Sequence, residues 1–192
     1  MKVRVIGPKD PRPENVIDTT SRSRNWSRGL SPFFLGPVPL YPDAPIPEAK
    51  NVENAWQFSK VYAVHLGKDG LPSRSYYDWA VTGWKDGRAH RYPMGKGSVP
   101  EYSWWGFEKL SYIEARQFIY LPIYVTAVLK SPAWRQLAAL YRASDEIVLW
   151  DFDGYDYHRL GMTFKDVLLD PTRKMGHALI LAALLEKTYG MG

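Results

Sequence analysis

Nine of the fifteen prolines in this 192-residue chain fall in its first fifty positions, and that crowding limits what the opening quarter can become. Each proline removes a backbone donor and fixes one torsion, so neither a long helix nor a central strand fits there. Residues 2–6 alternate in the manner of a short strand, and residues 7–50, rich in Pro, Gly, Asp and Ser, read as loop and short extended pieces. The run Leu30–Tyr41 is too apolar for a free linker and is expected to pack against the rest of the chain.

The pattern changes after Asn51. A helical period runs from Val52 to about Leu66, and a second short helix is expected from Tyr76 to Trp84, before a Gly/Lys/Pro-rich surface loop from Lys85 to Pro100. Phe107–Leu129 and Ala133–Arg142 read as two more helices, with Pro122 kinking or breaking the first. A strand over Glu146–Asp151, a turn over Asp151–Asp156 and a closing helix from about Thr172 to Tyr189 complete the chain. With 45% hydrophobic and 15% aromatic residues, the length fits one well-packed domain. The expected fold is mainly α with a few short β-strands (α+β): a single domain in which a basic, Pro/Gly-rich segment 1–50 packs on a helical body 51–192.

Composition excludes several chemistries. There is no cysteine, and His65, His90, His158 and His177 lack metal-ligand spacing, so no metal site and no cofactor is expected. Gly95-Lys96-Gly97-Ser98 fails as a phosphate loop because His90 stands where the first glycine belongs, and no Gly-x-Ser-x-Gly elbow occurs. The start is too short and too charged for a signal peptide, and no apolar run reaches the roughly 20 residues of a spanning helix. A cytoplasmic protein with no membrane association is expected.

At roughly 100° per residue, Val52, Ala55, Trp56, Ser59 and Ala63 form an apolar stripe with Glu53, Gln57 and Lys60 along its border. Glu53 and Lys60 lie about 10 Å apart along such an axis, too far to pair directly, and Gln57 neighbours both. This is either a ligand-binding face or the solvated edge of an amphipathic helix. The aspartates of Asp151–Asp156 are either a second acidic site or turn formers. Tyr102, Trp104, Trp105 and Tyr112 either stack a planar ring or fill the core. Seven Lys/Arg stand against three Asp/Glu in the first thirty residues, with Arg22, Arg24 and Arg28 interleaved with Ser and Trp26. That bias suits a polyanionic partner such as DNA or RNA, or a solubilising edge.

Together these segments resemble the NADAR superfamily, named for its association with NAD and ADP-ribose metabolism. Val52-Glu53-Asn54-Ala55-Trp56-Gln57-Phe58-Ser59-Lys60 is similar to the family's Val-Glu-His-aromatic-aromatic-Gln-x-x-Lys helix, with Asn54 in place of the His. Leu30-Ser31-Pro32-Phe33-Phe34 resembles its Leu-Ser-Asn-Phe-aromatic segment. Ser131-Pro132-Ala133-Trp134 through Leu149 resembles its Asn-Pro-x-Leu helix and following strand. Asp151–Asp156 falls where the family carries Glu-Ala-Ser-x-x-Asp, and Met175–Leu179 resembles its closing Leu-Gly-x-x-Leu helix.

The resemblance implies an N-glycosidase that hydrolyses a ribose-to-nitrogen bond in an ADP-ribosyl or phosphoribosyl ligand, with removal of ADP-ribose from guanine in nucleic acid as one such reaction. Glu53 would stabilise the oxocarbenium-like transition state, an attraction of about 4 kcal/mol at 4 Å and an effective dielectric near 20. Lys60 would recognise phosphate or, in the alternative, attack an opened ribose as a Schiff base, with charge recognition the favoured role. Asp156, with Asp151 or Asp153 as fallback, would position water or ribose hydroxyls. Ser31, Phe33, Asn54 and Gln57 would line the site, with Trp104 or Tyr112 against the base. The alternative is a domain that binds ADP-ribose or nucleic acid without cleaving it.

Overall fold

A computed structural model describes residues 2–187. In chain order the strands are β1 (Val3–Ile6), β2 (Ile17–Asp18), β3 (Val38–Pro39), β4 (Glu48–Ala49), β5 (Lys60–Val61), β6 (Tyr102–Trp105), β7 (Glu108–Leu110) and β8 (Ile147–Trp150). The helices are α1 (Val52–Gln57), α2 (Arg74–Lys85), α3 (Tyr112–Ala115), α4 (Leu121–Lys130), α5 (Pro132–Ala143), α6 (Phe164–Leu169) and α7 (His177–Leu185). A π-helical segment, Arg116–Tyr120, joins α3 to α4. The fold is mixed α+β with small sheets, as the sequence indicates.

The chain forms two compact units, one pairing the opening through Ser31 with the stretch from Val128 onward, the other Pro32–Ala127. In the first unit, β8 lies between β1 and β2, parallel to both, with Val5 opposite Leu149 and Ile17 opposite the same residue. All four residues of β8 are buried, which explains its unbroken Ile-Val-Leu-Trp run. Helix α7 is apolar around nearly its whole circumference and correspondingly buried. Gly7 and Gly154 lie back to back: a Cβ on Gly7 would come within 2.2 Å of the Gly154 carbonyl oxygen. Only two residues without side chains allow that approach.

The second unit holds an antiparallel β3–β4 pair and an antiparallel sheet ordered β5-β6-β7. Gly106 and Phe107 connect β6 to β7 with φ of 59° and 69°. Positive φ at both centres is the signature of the tight turn whose twist suits a hairpin. The expected helix therefore does not begin at Phe107, and Tyr102–Trp105 is a strand within the segment between the expected helices.

Helix α1 is also shorter than the period suggested. Ser59 donates its hydroxyl to the Trp56 carbonyl at 2.8 Å, and Lys60 and Val61 pair with Ser103 and Tyr102. Strand pairing at long range thus overrides the local helical pattern. The helix does not stop at Pro122 either: the π segment ahead of it widens the turn where the proline has no N–H to donate, and α4 continues. The expected closing helix begins at His177, five residues after Thr172, and Tyr189 lies outside the described residues. Among the described residues, no helix is long and apolar enough to cross a membrane.

Candidate functional site

Three interactions fix α1 at its start. The Asn51 side chain caps the helix by accepting the Asn54 N–H, and the backbone amides of Val52 and Glu53 donate to the Leu35 and Pro32 carbonyls at 2.8 and 3.1 Å. The apolar opening run is thus the seat of the helix that carries Glu53. Phe33, half-buried, stands in this turn.

Glu53 is 6% exposed and Gln57 is 8% exposed, so they are not a solvated edge. The Gln57 amide donates from Nε2 to Glu53 Oε1 at 2.9 Å, and its Oε1 accepts from Lys60 Nζ at 2.7 Å. The two contacts fix which way the amide faces: reversed, its oxygen would meet the carboxylate and its NH2 the ammonium. A buried carboxylate is linked through one oriented amide to a half-buried ammonium. Lys60 reaches Gln57 from β5, one turn beyond the end of α1.

Aromatic groups border this chain. Lys60 Nζ lies 4.7 Å from the centre of the Trp56 ring, and Trp56 in turn neighbours Tyr120 at 5.3 Å and Tyr112 at 6.5 Å. Tyr112 is 46% exposed. Its hydroxyl accepts from Arg116 Nη2 at 2.8 Å, and the Arg116 guanidinium also lies 4.3 Å from the Tyr112 ring centre. Arg116 itself is almost wholly buried and sits in the π segment, which packs against α1. The result combines buried charge at Glu53 and Arg116 with an accessible aromatic border at Trp56 and Tyr112. Such a border suits a planar ring attached to a charged group.

The other expected residues have contacts of their own. Trp104 packs with Tyr102 and Phe107. Because Lys60 is directly opposite Ser103, Trp104 projects from the other side of the sheet, leaving Tyr112 as the aromatic of this group. Asn54 is fully buried and holds a loop: its Nδ2 donates to the carbonyls of Asp86 and Arg88, and its Oδ1 accepts the His90 N–H, all at 2.9 Å. It staples the loop over 86–90 to α1. Ser31, Asp153 and Asp156 belong to the first unit. Ser31 ends a 3-10 turn over Trp26–Leu30 and is buried, Asp153 is half-buried, and Asp156 accepts the Arg159 N–H at 3.1 Å. That last contact makes Asp156 a turn former.

Arg116 lies beyond the sequence reading; its signal was a lone cation inside the apolar stretch before Pro122. Asp151, expected as a fallback for Asp156, is half of a buried pair in the first unit whose other half, His177, the sequence did not single out. Asp151 Oδ2 stands 3.1 Å from His177 Nδ1 and accepts the Ala178 N–H, while His177 Nε2 faces the Thr19 carbonyl at 2.8 Å. Both ring nitrogens point at acceptors, which fits a protonated imidazole beside an ionised carboxylate. Burial pushes the Asp151 carboxyl up, but the His177 charge and the hydrogen bonds from His177, Ala178 and Asp153 outweigh it and bring its pKa down to about 2. Among the described residues, no three His, Asp or Glu side chains gather as a metal-ligand set.

Residues 5–159 match the model of a family of unknown function, DUF6939. The chain belongs to that family. The DUF6939 match takes in Glu53, Gln57, Lys60, Trp56, Tyr112, Arg116 and Asp151, and ends before α6 and α7. No curated protein and no solved structure matches the chain.

Proposed function

We propose that the Glu53–Gln57–Lys60 chain is the active site of an N-glycosidase of the NADAR type, acting on an ADP-ribosyl or phosphoribosyl substrate. The observation that carries this reading is the buried Glu53 carboxylate, tied through Gln57 to Lys60 and bordered by Trp56 and Tyr112. Cleavage adds water across the bond between the ribose anomeric carbon and nitrogen: the carbon gains hydroxyl and the leaving nitrogen gains a proton. As that bond lengthens, positive charge builds on the ribose, and Glu53, already fixed by Gln57, meets it without reorganising. An attraction of about 4 kcal/mol felt only in the transition state corresponds to roughly a thousandfold in rate. Lys60 supplies charge for a phosphate, and Trp56 with Tyr112 receives the base.

A second reading, a domain that binds such ligands without cleaving them, is favoured by Asn54. Where the NADAR helix carries His, this chain has a buried amide engaged in three hydrogen bonds to the loop over 86–90. DNA or RNA as the carrier of the ADP-ribosyl group is supported by the exposed Arg22, Arg24 and Arg28, of which Arg22 lies 5.1 Å from the Phe152 ring centre. This partner predicts affinity that falls steeply with salt.

The test is product analysis by mass spectrometry. Purified protein is given DNA carrying ADP-ribosylated guanine and, separately, phosphoribosyl-amino pyrimidines. Catalytic release of free ADP-ribose or ribose phosphate is the expected result. Tight, saturable binding with no product over long incubation would establish the non-cleaving domain instead.

A further inference from the structure

In the first unit, the last residues of β1, β2 and β8 lie side by side, because Ile6 and Asp18 are both register partners of Trp150. One face of the sheet here is a small core of Ile6, Val148 and Trp150, against which Val16 and Phe152 pack. Trp150 and Phe152 meet edge to face at 4.9 Å between ring centres. Both rings carry a cation. Arg12 Cζ lies over the Trp150 ring, 3.4 Å from its centre, and Arg22 Cζ lies 5.1 Å from the centre of Phe152. Trp150 is only 4% exposed, whereas Arg12 and Arg22 are exposed residues. At 3.4 Å the Arg12 guanidinium lies flat on the indole. One of its faces is taken, the other is open, and its N–H donors radiate in the plane between them.

Among the described residues, neither guanidinium has a hydrogen-bond acceptor or a carboxylate in ion-pairing reach. Several acids of this region are committed to other groups. Asp10 accepts the Gly7 N–H at 2.8 Å, Asp18 accepts the Thr20 N–H at 2.9 Å, and Asp151 faces His177. Glu14 and the half-buried Asp153 stand against four exposed arginines of the opening segment, Arg12, Arg22, Arg24 and Arg28. The balance favours an anionic partner. The flat open face of Arg12 selects further among anions. An acidic peptide would meet the in-plane donors but has no planar group of its own to lay on the guanidinium, and a duplex keeps its bases stacked on one another. An unpaired base continues the Trp150–Arg12 stack, while the phosphates beside it take the donors of Arg12 and Arg22.

We infer that this end of the sheet binds single-stranded nucleic acid, with Arg12 as the platform for an unpaired base and Arg22 as a phosphate contact. The inference goes beyond the glycosidase reading: it uses none of Glu53, Lys60 and Tyr112, and it applies to strands that carry no ADP-ribose.

The experiment is fluorescence anisotropy of the full chain with labelled, unmodified oligonucleotides, single-stranded and duplex, over a series of salt concentrations, with polyglutamate as competitor. The single strand is expected to bind saturably and several-fold more tightly than the duplex, and polyglutamate should not displace it. Arg12→Lys keeps the charge and removes the flat face, so it should weaken single-strand binding about tenfold with the salt dependence unchanged. Arg22→Gln should make the slope of log affinity against log salt shallower by about 0.7. Both positions are exposed, and both variants should melt within a few degrees of wild type. Wild-type affinity in Arg12→Lys, or a wild-type salt slope in Arg22→Gln, would overturn the inference. So would absence of single-strand binding at low salt, duplex binding as tight as the single strand, or displacement by polyglutamate. No ribosyl substrate enters these measurements, so their failure is distinct from failure of the glycosidase assay.

Discussion

Glu53 and Asp151 are both buried carboxylates within hydrogen-bonding reach of polar side chains, yet their surroundings give them different capacities. Asp151 is enclosed: His177 and the amides of Ala178 and Asp153 converge on it, and a Cβ on Gly176 would fall 2.5 Å from its Oδ2. Glu53 is the inner end of a chain whose outer end, Lys60, is half-buried beside an accessible aromatic border. An enclosed charge holds two segments of chain together. A charge linked through one amide to a half-buried ammonium beside an accessible aromatic border is placed to act on a ligand.

The comparison breaks first if Asp151 is dispensable. Asp151→Ala takes away the carboxylate that faces His177 Nδ1 and the acceptor of the Ala178 N–H at the start of α7, a loss of about 3–5 kcal/mol in chemical denaturation. Acid should reveal the same residue in the wild type. A carboxyl whose folded pKa is depressed to about 2 contributes stability that is fully present above the unfolded value near 3.8 and is lost as pH falls through the folded one. About 2 kcal/mol should disappear between roughly pH 4 and pH 2, and Asp151→Ala should flatten that part of the profile.

A loss of about 2 kcal/mol is expected for Asn54→Ala, which strips the partners from two carbonyls and one amide of the loop. Hydrogen exchange at His90 should accelerate in step. The smallest effect belongs to Lys60→Met. It should raise KM for a phosphate-bearing substrate about tenfold and change kcat less, sharpening the division between Lys60 as a binding group and Glu53 as a chemical one.

The polar face of α1 was legible because i, i+4 spacing survives in a helix of only six residues, and Gln57 bridges to Glu53 as the spacing requires. The helix end was not legible. Ser59–Val61 keeps the helical period, but pairing with β6, some forty residues away, decides its conformation. The hairpin around Gly106 carried a local signal in a glycine between aromatic and β-prone residues, obscured by the helical pattern downstream. Trp104 and Tyr112 were indistinguishable as aromatic candidates until strand register placed them on different sides. Asp151 and His177 are 26 positions apart, and nothing in either neighbourhood announces that they meet.

Substitution of Glu53 by Gln, with kcat and melting temperature measured together, tests the central claim most directly. Turnover on the ribosyl substrate should fall at least a hundredfold, about 2.7 kcal/mol in the transition state, while the melting temperature stays within a few degrees of wild type. Near-normal turnover in a folded Glu53→Gln protein would contradict the account and leave this carboxylate, like Asp151, a structural charge.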